Sequence, residues 1–193
     1  MIMQQHINNE VDKYNLQPKK FIMWLFVVSS VIFFAGLTSG FIVYTGSGRV
    51  LNVQLPKVFG YSTIVIFLSS MSLYWASQQT KKGNFGKQRL GLWLTFLLGV
   101  VFIAMQIHGW KVWIGLGAYF INSNASISFV YAFTFLHILH ILAGLVIIIT
   151  ALVSSYGKLP GVINGFRMQL TSIFWHFVDI LWIYLYLFLL LNQ

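Results

Sequence analysis

Five long apolar stretches, separated by short polar segments, dominate the hydropathy pattern of this chain. They cover residues 21–44, 58–77, 90–110, 127–154 and 170–191. Each is close to or above the roughly 20 residues that an α-helix needs to cross about 30 Å of hydrocarbon. The stretches are continuously apolar rather than alternating, which argues against strands, and an open sheet cannot span lipid because its edge groups would lack partners. The pattern therefore predicts an all-α polytopic membrane protein with five transmembrane helices.

Composition narrows the class further. Of the 193 residues, 58% are hydrophobic and 8% are charged, whereas an ordinary soluble domain is roughly 25% charged. The absence of cysteine excludes a disulfide framework, a thiol nucleophile, an iron-sulfur cluster and a cysteine-ligated zinc ion. Twelve basic residues against three acidic ones would suggest nucleic acid in a soluble protein, but in so apolar a chain they are typical of anchors at a membrane surface.

The basic residues also predict topology and domain organisation. Residues 1–20 form a polar N-terminal tail, and residues 21–193 form the five-helix transmembrane domain. Nine basic residues fall on the side of the N-terminus: Lys13, Lys19, Lys20, Lys81, Lys82, Lys87, Arg89, Lys158 and Arg167. Three fall on the other side: Arg49, Lys57 and Lys111. Since cytoplasmic loops carry the excess of Lys and Arg, we expect a cytoplasmic N-terminus and a periplasmic C-terminus.

Four ionisable residues in the last two spans are the candidate functional groups. Asp179 is the only carboxylate in any span, and His176 precedes it by three residues; His137 and His140 are likewise three apart. At ~1.5 Å per residue, His140 and Asp179 lie at depths that differ by less than one helical turn. A hydrogen bond between His140 and Asp179 is therefore geometrically possible. We expect a His/Asp hydrogen-bond cluster that links the fourth and fifth spans, with His140 and His176 as the available donors to Asp179.

Other interpretations of these four residues stay open at this point. A bis-histidine haem b site could use His137 or His140 with His176, as in membrane cytochromes. A proton relay through Asp179 is a second alternative. A zinc site would need three or four converging ligands, and a Ser-His-Asp triad would need an activated serine, for which only Ser172 has a suitable spacing. The sequence therefore predicts no catalytic centre, and no haem or metal, in this chain.

One stretch of the last span carries a specific resemblance. The run from Trp175 through His176, Phe177, Val178 and Asp179 to Trp182 resembles the WHFVDxxW signature of subunit III of the haem-copper terminal oxidases, in their short five-span bacterial form. On the preceding span, His137, His140 and Gly144 resemble the HxxHxxxG pattern of the same family. In the first span, residues 23–26 and 33–37 are similar to the MWLF and FFAGL pieces of the same family.

The sequence departs from the family pattern at three acidic positions. Ser30, Gly109 and Gln169 stand where the family commonly has glutamate. The resemblance therefore implies a packing role for this chain, and the neutral residues argue against a carboxylate-dependent role in proton uptake.

The resemblance implies an accessory, non-catalytic subunit of a respiratory oxidase in the bacterial inner membrane. Haem and copper would belong to the partner catalytic subunits, which reduce oxygen and pump protons, and this chain would pack against subunit I and the other oxidase subunits. Membership of a respiratory supercomplex is compatible with that role. The alternatives are an accessory subunit of a quinol oxidase or nitric oxide reductase, a bis-histidine haem b cytochrome, and a small transporter, for which no repeated half is present.

Bound phospholipid is the last expectation. Basic pockets between helices at the cytoplasmic side attract anionic head groups. The basic residues that adjoin span ends on that side, and that we expect to bind lipid, are Lys20, Arg89 and Arg167.

Overall fold

The five predicted spans are confirmed as helices in the computed structural model, which describes residues 16–46, 55–121, 125–157 and 161–192. In chain order the helices are α1 (Leu16–Thr45), α2 (Lys57–Lys81), α3 (Phe85–Gly115), α4 (Ala125–Tyr156) and α5 (Gly161–Leu191). All five are long and apolar enough to cross a membrane. Most of the predicted N-terminal tail, with Lys13, and the basic residues Arg49 and Lys158 lie outside the described residues.

The helices are longer than the apolar runs that predict them. They contain 25 to 32 residues, which corresponds to about 38–48 Å at 1.5 Å per residue. That length spans the head-group layers of a bilayer as well as its hydrocarbon core. Because α1 begins at Leu16, Lys19 and Lys20 of the predicted tail belong to its first turns. The α5 helix likewise begins at Gly161, well before the predicted start of its apolar run at residue 170.

The helices form an up-and-down bundle in which α4 and α5 are central. The α2 and α3 helices make a tight hairpin, joined by residues 82–84, with Gly83 at φ 72°, a conformation that glycine adopts without a steric penalty. Within the described ranges, α1 contacts only α4 and α5, on the side away from the hairpin. It leaves large apolar side chains such as Phe21, Ile32 and Val43 exposed, as expected for a surface that faces lipid or another membrane subunit.

Small residues at the centre of the bundle make room for Trp175. A Cβ atom at Gly99 of α3 would lie 2.8 Å from the Trp175 ring, and one at Gly144 of α4 would lie 2.9 Å from it. Both distances are too short for any larger residue without a shift of the ring. The Gly144 of the predicted HxxHxxxG pattern therefore provides clearance for the first tryptophan of the α5 signature, in keeping with the use of small residues where membrane helices approach closely.

Candidate functional site

The four predicted polar residues lie in the middle of the bundle but bond in different directions. Asp179 and His137 are almost completely buried, whereas His140 and His176 are partly exposed. His140 faces α1: its Nε2 lies 3.2 Å from the Ser30 hydroxyl, and its Nδ1 lies 2.8 Å from the Leu136 carbonyl oxygen. Neither ring nitrogen is paired with Asp179. The predicted hydrogen bond between His140 and Asp179 is therefore wrong, because both nitrogens of His140 already have other partners.

The signature residues of α5 bond to α2 rather than to α4. The hydrogen-bond partners of these signature residues are three hydroxyl residues of α2: Thr63, Ser69 and Ser70. The Trp175 Nε1 donates to Ser69 over 2.8 Å, and the Trp182 Nε1 donates to Thr63 over 3.0 Å. His176 Nδ1 lies 2.6 Å from the Ser70 hydroxyl. The polar contacts therefore join α5 to α2, a pairing that the sequence argument missed.

The sequence contains a signal for this pairing of α5 with α2. The α2 helix has the lowest mean hydropathy of the five, because it carries serine and threonine through its length. Its hydroxyl residues at 63 and 69–70 have nearly the spacing of Trp182 and Trp175 on α5, about two helical turns. A comparison of polar spacing between non-consecutive spans could have identified this pair.

Asp179 has no hydrogen-bond partner among the described residues for either carboxyl oxygen. The Ser70 hydroxyl of α2 is bonded to His176. Both nitrogens of His137 also lack partners within the part of the chain that the structure describes. Its ring packs against Trp182 at a centroid separation of 5.0 Å and against Phe102 at 5.7 Å. The predicted four-residue cluster is therefore not a single hydrogen-bonded unit.

This geometry also bears on the haem and metal alternatives. His140 is directed toward α1 and His176 toward α2, and these two helices do not contact each other in the described ranges. The two rings therefore do not converge on one position, as the axial ligands of a haem iron must. Across residues 16–46, 55–121, 125–157 and 161–192, no group of three or more His, Cys, Asp or Glu side chains could hold a metal ion.

The three neutral residues at family glutamate positions have different surroundings. Ser30 is the partner of His140. Gly109 lies under Phe59, whose ring would be 2.9 Å from a Cβ atom at this position, so an acidic side chain at Gly109 would displace the ring. Gln169 is exposed at the predicted cytoplasmic end, where it lines two cavities.

A groove opens at the predicted cytoplasmic end between the starts of α1 and α5 and the end of α4. We call it the inner groove. It has a volume of about 440 Å³ and is lined by Leu16, Lys19, Thr150, Ile163, Phe166, Arg167 and Leu170. A smaller adjoining cavity of about 250 Å³ adds Lys20 and Gln169. Arg167 donates one long hydrogen bond of 3.4 Å to the Thr150 carbonyl oxygen. The groove thus combines an apolar floor with three cationic side chains at its rim.

The three predicted lipid-binding residues are therefore not equivalent. Lys20 and Arg167 line the inner groove and its extension. Arg89, on α3, instead donates from Nε to the Ser155 carbonyl oxygen over 3.1 Å and to the Ser155 hydroxyl over 3.2 Å. Its guanidinium group also lies 4.2 Å above the Tyr156 ring. Arg89 therefore binds the C-terminal end of α4, where a cation is favoured by the unpaired carbonyl groups.

Comparison with known proteins gives consistent matches over the whole chain. The family model "Cytochrome c oxidase subunit III" matches residues 3–192. Cytochrome c oxidase subunit 3 of Bacillus subtilis is 27% identical over 184 residues, which covers 91% of this chain and 87% of the relative. Cytochrome bo(3) ubiquinol oxidase subunit 3 of Buchnera aphidicola is 30% identical over 181 residues, with 90% and 94% covered. The Pseudomonas aeruginosa protein of the same name is 30% identical over 169 residues, with 84% and 79% covered.

Proposed function

The chain belongs to the cytochrome c oxidase subunit III family, and we propose on this basis that it is the accessory subunit III of a haem-copper terminal oxidase in a bacterial inner membrane. Catalysis, haem and copper reside in the partner subunits, to which this chain contributes packing surface and bound lipid. The observation that carries the proposal is the whole-chain family match together with the packing of the α5 signature, in which Trp175 and Trp182 bond to α2. The polar signature residues thereby hold the bundle together.

Relatives of both donor classes match this chain at similar identity, since one is named as a cytochrome c oxidase subunit and two as ubiquinol oxidase subunits. The electron donor binds to other subunits of such a complex. We therefore propose a haem-copper oxidase without choosing between cytochrome c and quinol as its electron donor. Measurement of the electron donor would distinguish a cytochrome c oxidase from a quinol oxidase.

The decisive experiment is affinity purification of the tagged chain from membranes, followed by absorbance spectroscopy. We expect a larger haem-containing complex that reduces oxygen with cytochrome c or quinol as donor. Stripping this chain from the complex should leave the haem content of the remainder unchanged. A chain that purifies alone, or one with a stoichiometric Soret band that His140→Ala abolishes, would contradict the proposal.

The inner groove is the proposed phospholipid site. Its apolar residues, such as Phe166 and Leu170, can contact an acyl chain, and Lys19, Lys20 and Arg167 can bind the phosphate. Arg167 is suited to this because a guanidinium group has five N–H donors, of which one is used within the described residues. The ligand class is an anionic phospholipid whose head group lies at the cytoplasmic surface.

Native mass spectrometry of the complex tests the lipid site. Arg167→Ala and Lys19→Ala should each reduce the retained phospholipid, whereas Lys82→Ala, which removes an exposed lysine from the α2–α3 turn, serves as a matched control. Arg89→Ala should leave the lipid content unchanged and loosen the end of α4. Equal lipid content in wild type, Arg167→Ala and Lys19→Ala would refute the site.

The cytoplasmic N-terminus and periplasmic C-terminus remain a proposal that rests on the basic residues. Because the chain has no cysteine, a single introduced cysteine gives an unambiguous label. Lys82→Cys, in the α2–α3 turn, and Tyr119→Cys, between α3 and α4, occupy opposite ends of the bundle and are exposed. An impermeant thiol reagent applied to intact cells should label Tyr119→Cys alone, and labelling of Lys82→Cys alone would invert the topology.

A further inference from the structure

A second cavity lies beside the inner groove, between the end of α2 and the start of α5. We call it the α2–α5 cavity. It has a volume of about 520 Å³, and its polar lining residues are Ser77, Thr80, Lys81, Gln169 and Ser172. Gln169 also lines the extension of the inner groove that includes Lys20. The two cavities therefore meet at Gln169, and together they follow the predicted cytoplasmic end of α5 from α2 to α1.

Cationic side chains lie on both sides of this end of α5. Lys81 lines the α2–α5 cavity, whereas Lys19, Lys20 and Arg167 line the inner groove and its extension, toward α1. A helix with its side chains, which separates the two groups, is about 10–12 Å wide. Within the part of the chain that the structure describes, the only acidic residue is Asp179, at mid-span. No described carboxylate offsets these charges, so the two cavities suit a ligand with one anionic group for each side.

Beyond Gln169, toward the middle of the membrane, α5 has an open apolar face. The α1 and α2 helices both contact α5 but, in the described ranges, not each other, so the α5 face between them is not covered by another helix. Ile173 follows Gln169 by about one helical turn and Ile180 follows it by about three, and Ile180 is 66% exposed. Acyl chains can therefore lie along α5, between α1 and α2, below a head group bound at Gln169.

We propose that the inner groove and the α2–α5 cavity form one binding site for a phospholipid with two phosphate groups, a lipid of the cardiolipin class, with Gln169 at its centre. The inference rests on the proposed phospholipid site at the inner groove and extends that site across α5. One phosphate binds Lys81, and the other binds Lys20 and Arg167. Basic pockets between membrane helices at the cytoplasmic side bind such head groups, and a lipid with a single phosphate can occupy only one of the two sides.

Gln169 sets the charge preference of this site. The linker between the two phosphates crosses its side chain, which is exposed. The amide group can donate a hydrogen bond to a phosphate oxygen and accept one from a hydroxyl group of the linker. A carboxylate at this position would lie between two phosphates and repel both. The neutral side chain of Gln169 therefore permits a doubly charged head group to span α5.

Native mass spectrometry of the delipidated complex, supplied with cardiolipin or with the single-phosphate lipid phosphatidylglycerol, tests this inference. Lys81→Gln and Arg167→Gln should each lower cardiolipin occupancy, by about fivefold for each lost cation. Gln169→Glu should lower it as well, and Gln169→Lys should keep or raise it. Lys82→Gln is the matched control, because this neighbouring exposed lysine lines none of the three cavities and should leave the occupancy unchanged. An unchanged haem content checks that each variant complex is assembled.

Three results would overturn the inference. If Arg167→Gln lowers cardiolipin occupancy and Lys81→Gln does not, the inner groove binds lipid by itself and the site does not extend across α5. If Arg167→Gln changes the occupancy of neither lipid, the inner-groove site is wrong as well. An equal fall in Gln169→Glu and Gln169→Lys would show that the shape of this side chain matters rather than its charge.

Discussion

Two buried polar regions of this bundle are organised in opposite ways. Near the predicted cytoplasmic end, the side-chain amides of Gln88 on α3 and Asn164 on α5 are both buried and bond reciprocally, over 3.2 Å and 3.0 Å. At mid-span, Asp179 and His137 are buried to a similar degree, but none of their side-chain oxygen or nitrogen atoms is paired among the described residues. A satisfied pair of this kind stabilises the contact between two helices. An unsatisfied group makes no such contribution, so the two regions differ in what their buried polar side chains add to stability.

The largest effect should follow from Asn164→Leu. This change leaves both polar atoms of the buried Gln88 amide without a partner, at a cost of about 1–3 kcal/mol. We expect the temperature at which the subunit dissociates from the oxidase to fall clearly. The double variant Gln88→Leu with Asn164→Leu should recover part of that loss, because no orphaned amide remains. A double variant that is less stable than Asn164→Leu would contradict the paired description.

A smaller effect is expected at the contact between α1 and α4. Ser30→Ala removes the hydroxyl partner of His140, and hydrogen bonds between membrane helices are worth ~0.6 kcal/mol on average. Combined with His140→Leu, it should lower stability by less than the sum of the two single changes, since both remove the same bond. Additive losses in a thermal dissociation assay would show that the Ser30 and His140 side chains do not interact.

Asp179→Leu should be close to neutral for stability. The substitution removes a buried carboxyl group with no partner in the described residues, and it leaves the bond between Ser70 and His176 in place. Replacement of an unsatisfied buried polar group by an apolar one of similar size is nearly neutral or stabilising. A loss comparable to that of Asn164→Leu, measured in the same assay, would mean that Asp179 is bonded as firmly as the amide pair.

The smallest expected quantity is the coupling between His140 and Asp179. In the structure His140 bonds to Ser30 of α1, and neither carboxyl oxygen of Asp179 has a partner among the described residues. The effects of His140→Leu and Asp179→Leu should therefore add within about 0.5 kcal/mol. A coupling well above this value, in a double-mutant cycle of thermal stability, would restore the direct bond that the sequence argument predicted.

Much of the architecture could be read from the chain. Each apolar run lies within one helix, because a stretch of about 20 apolar residues has few stable alternatives to a spanning helix. The four ionisable residues of the last two spans were identified for the same reason, since such groups are rare in a membrane interior. Lys20 and Arg167, predicted to bind lipid from their position beside span ends, line the inner groove and its extension.

The partners of those residues could not be read in this way. Sequence spacing places His140 and Asp179 at a common depth, but it does not give the rotation of each helix about its own axis. In the structure, α5 is rotated so that Trp175 packs against Gly99 and Gly144. The prediction that Arg89 binds lipid missed its contact with Ser155 for a similar reason. The two residues lie at the ends of α3 and α4 that are far from the connection between these helices, so their distance along the chain does not indicate a contact.

The sequence by itself determined five spanning helices, an excess of positive charge at one end of the bundle, and one carboxyl group at mid-membrane, because each follows from the energy of placing single residues in lipid or water. Only the tertiary structure decided that His140 bonds to Ser30 of α1 rather than to Asp179 of α5, and that Gln88 is paired while Asp179 has no partner among the described residues. Those outcomes depend on how each helix is rotated about its axis and on which helices lie beside it. Close packing among all five helices determines both at once.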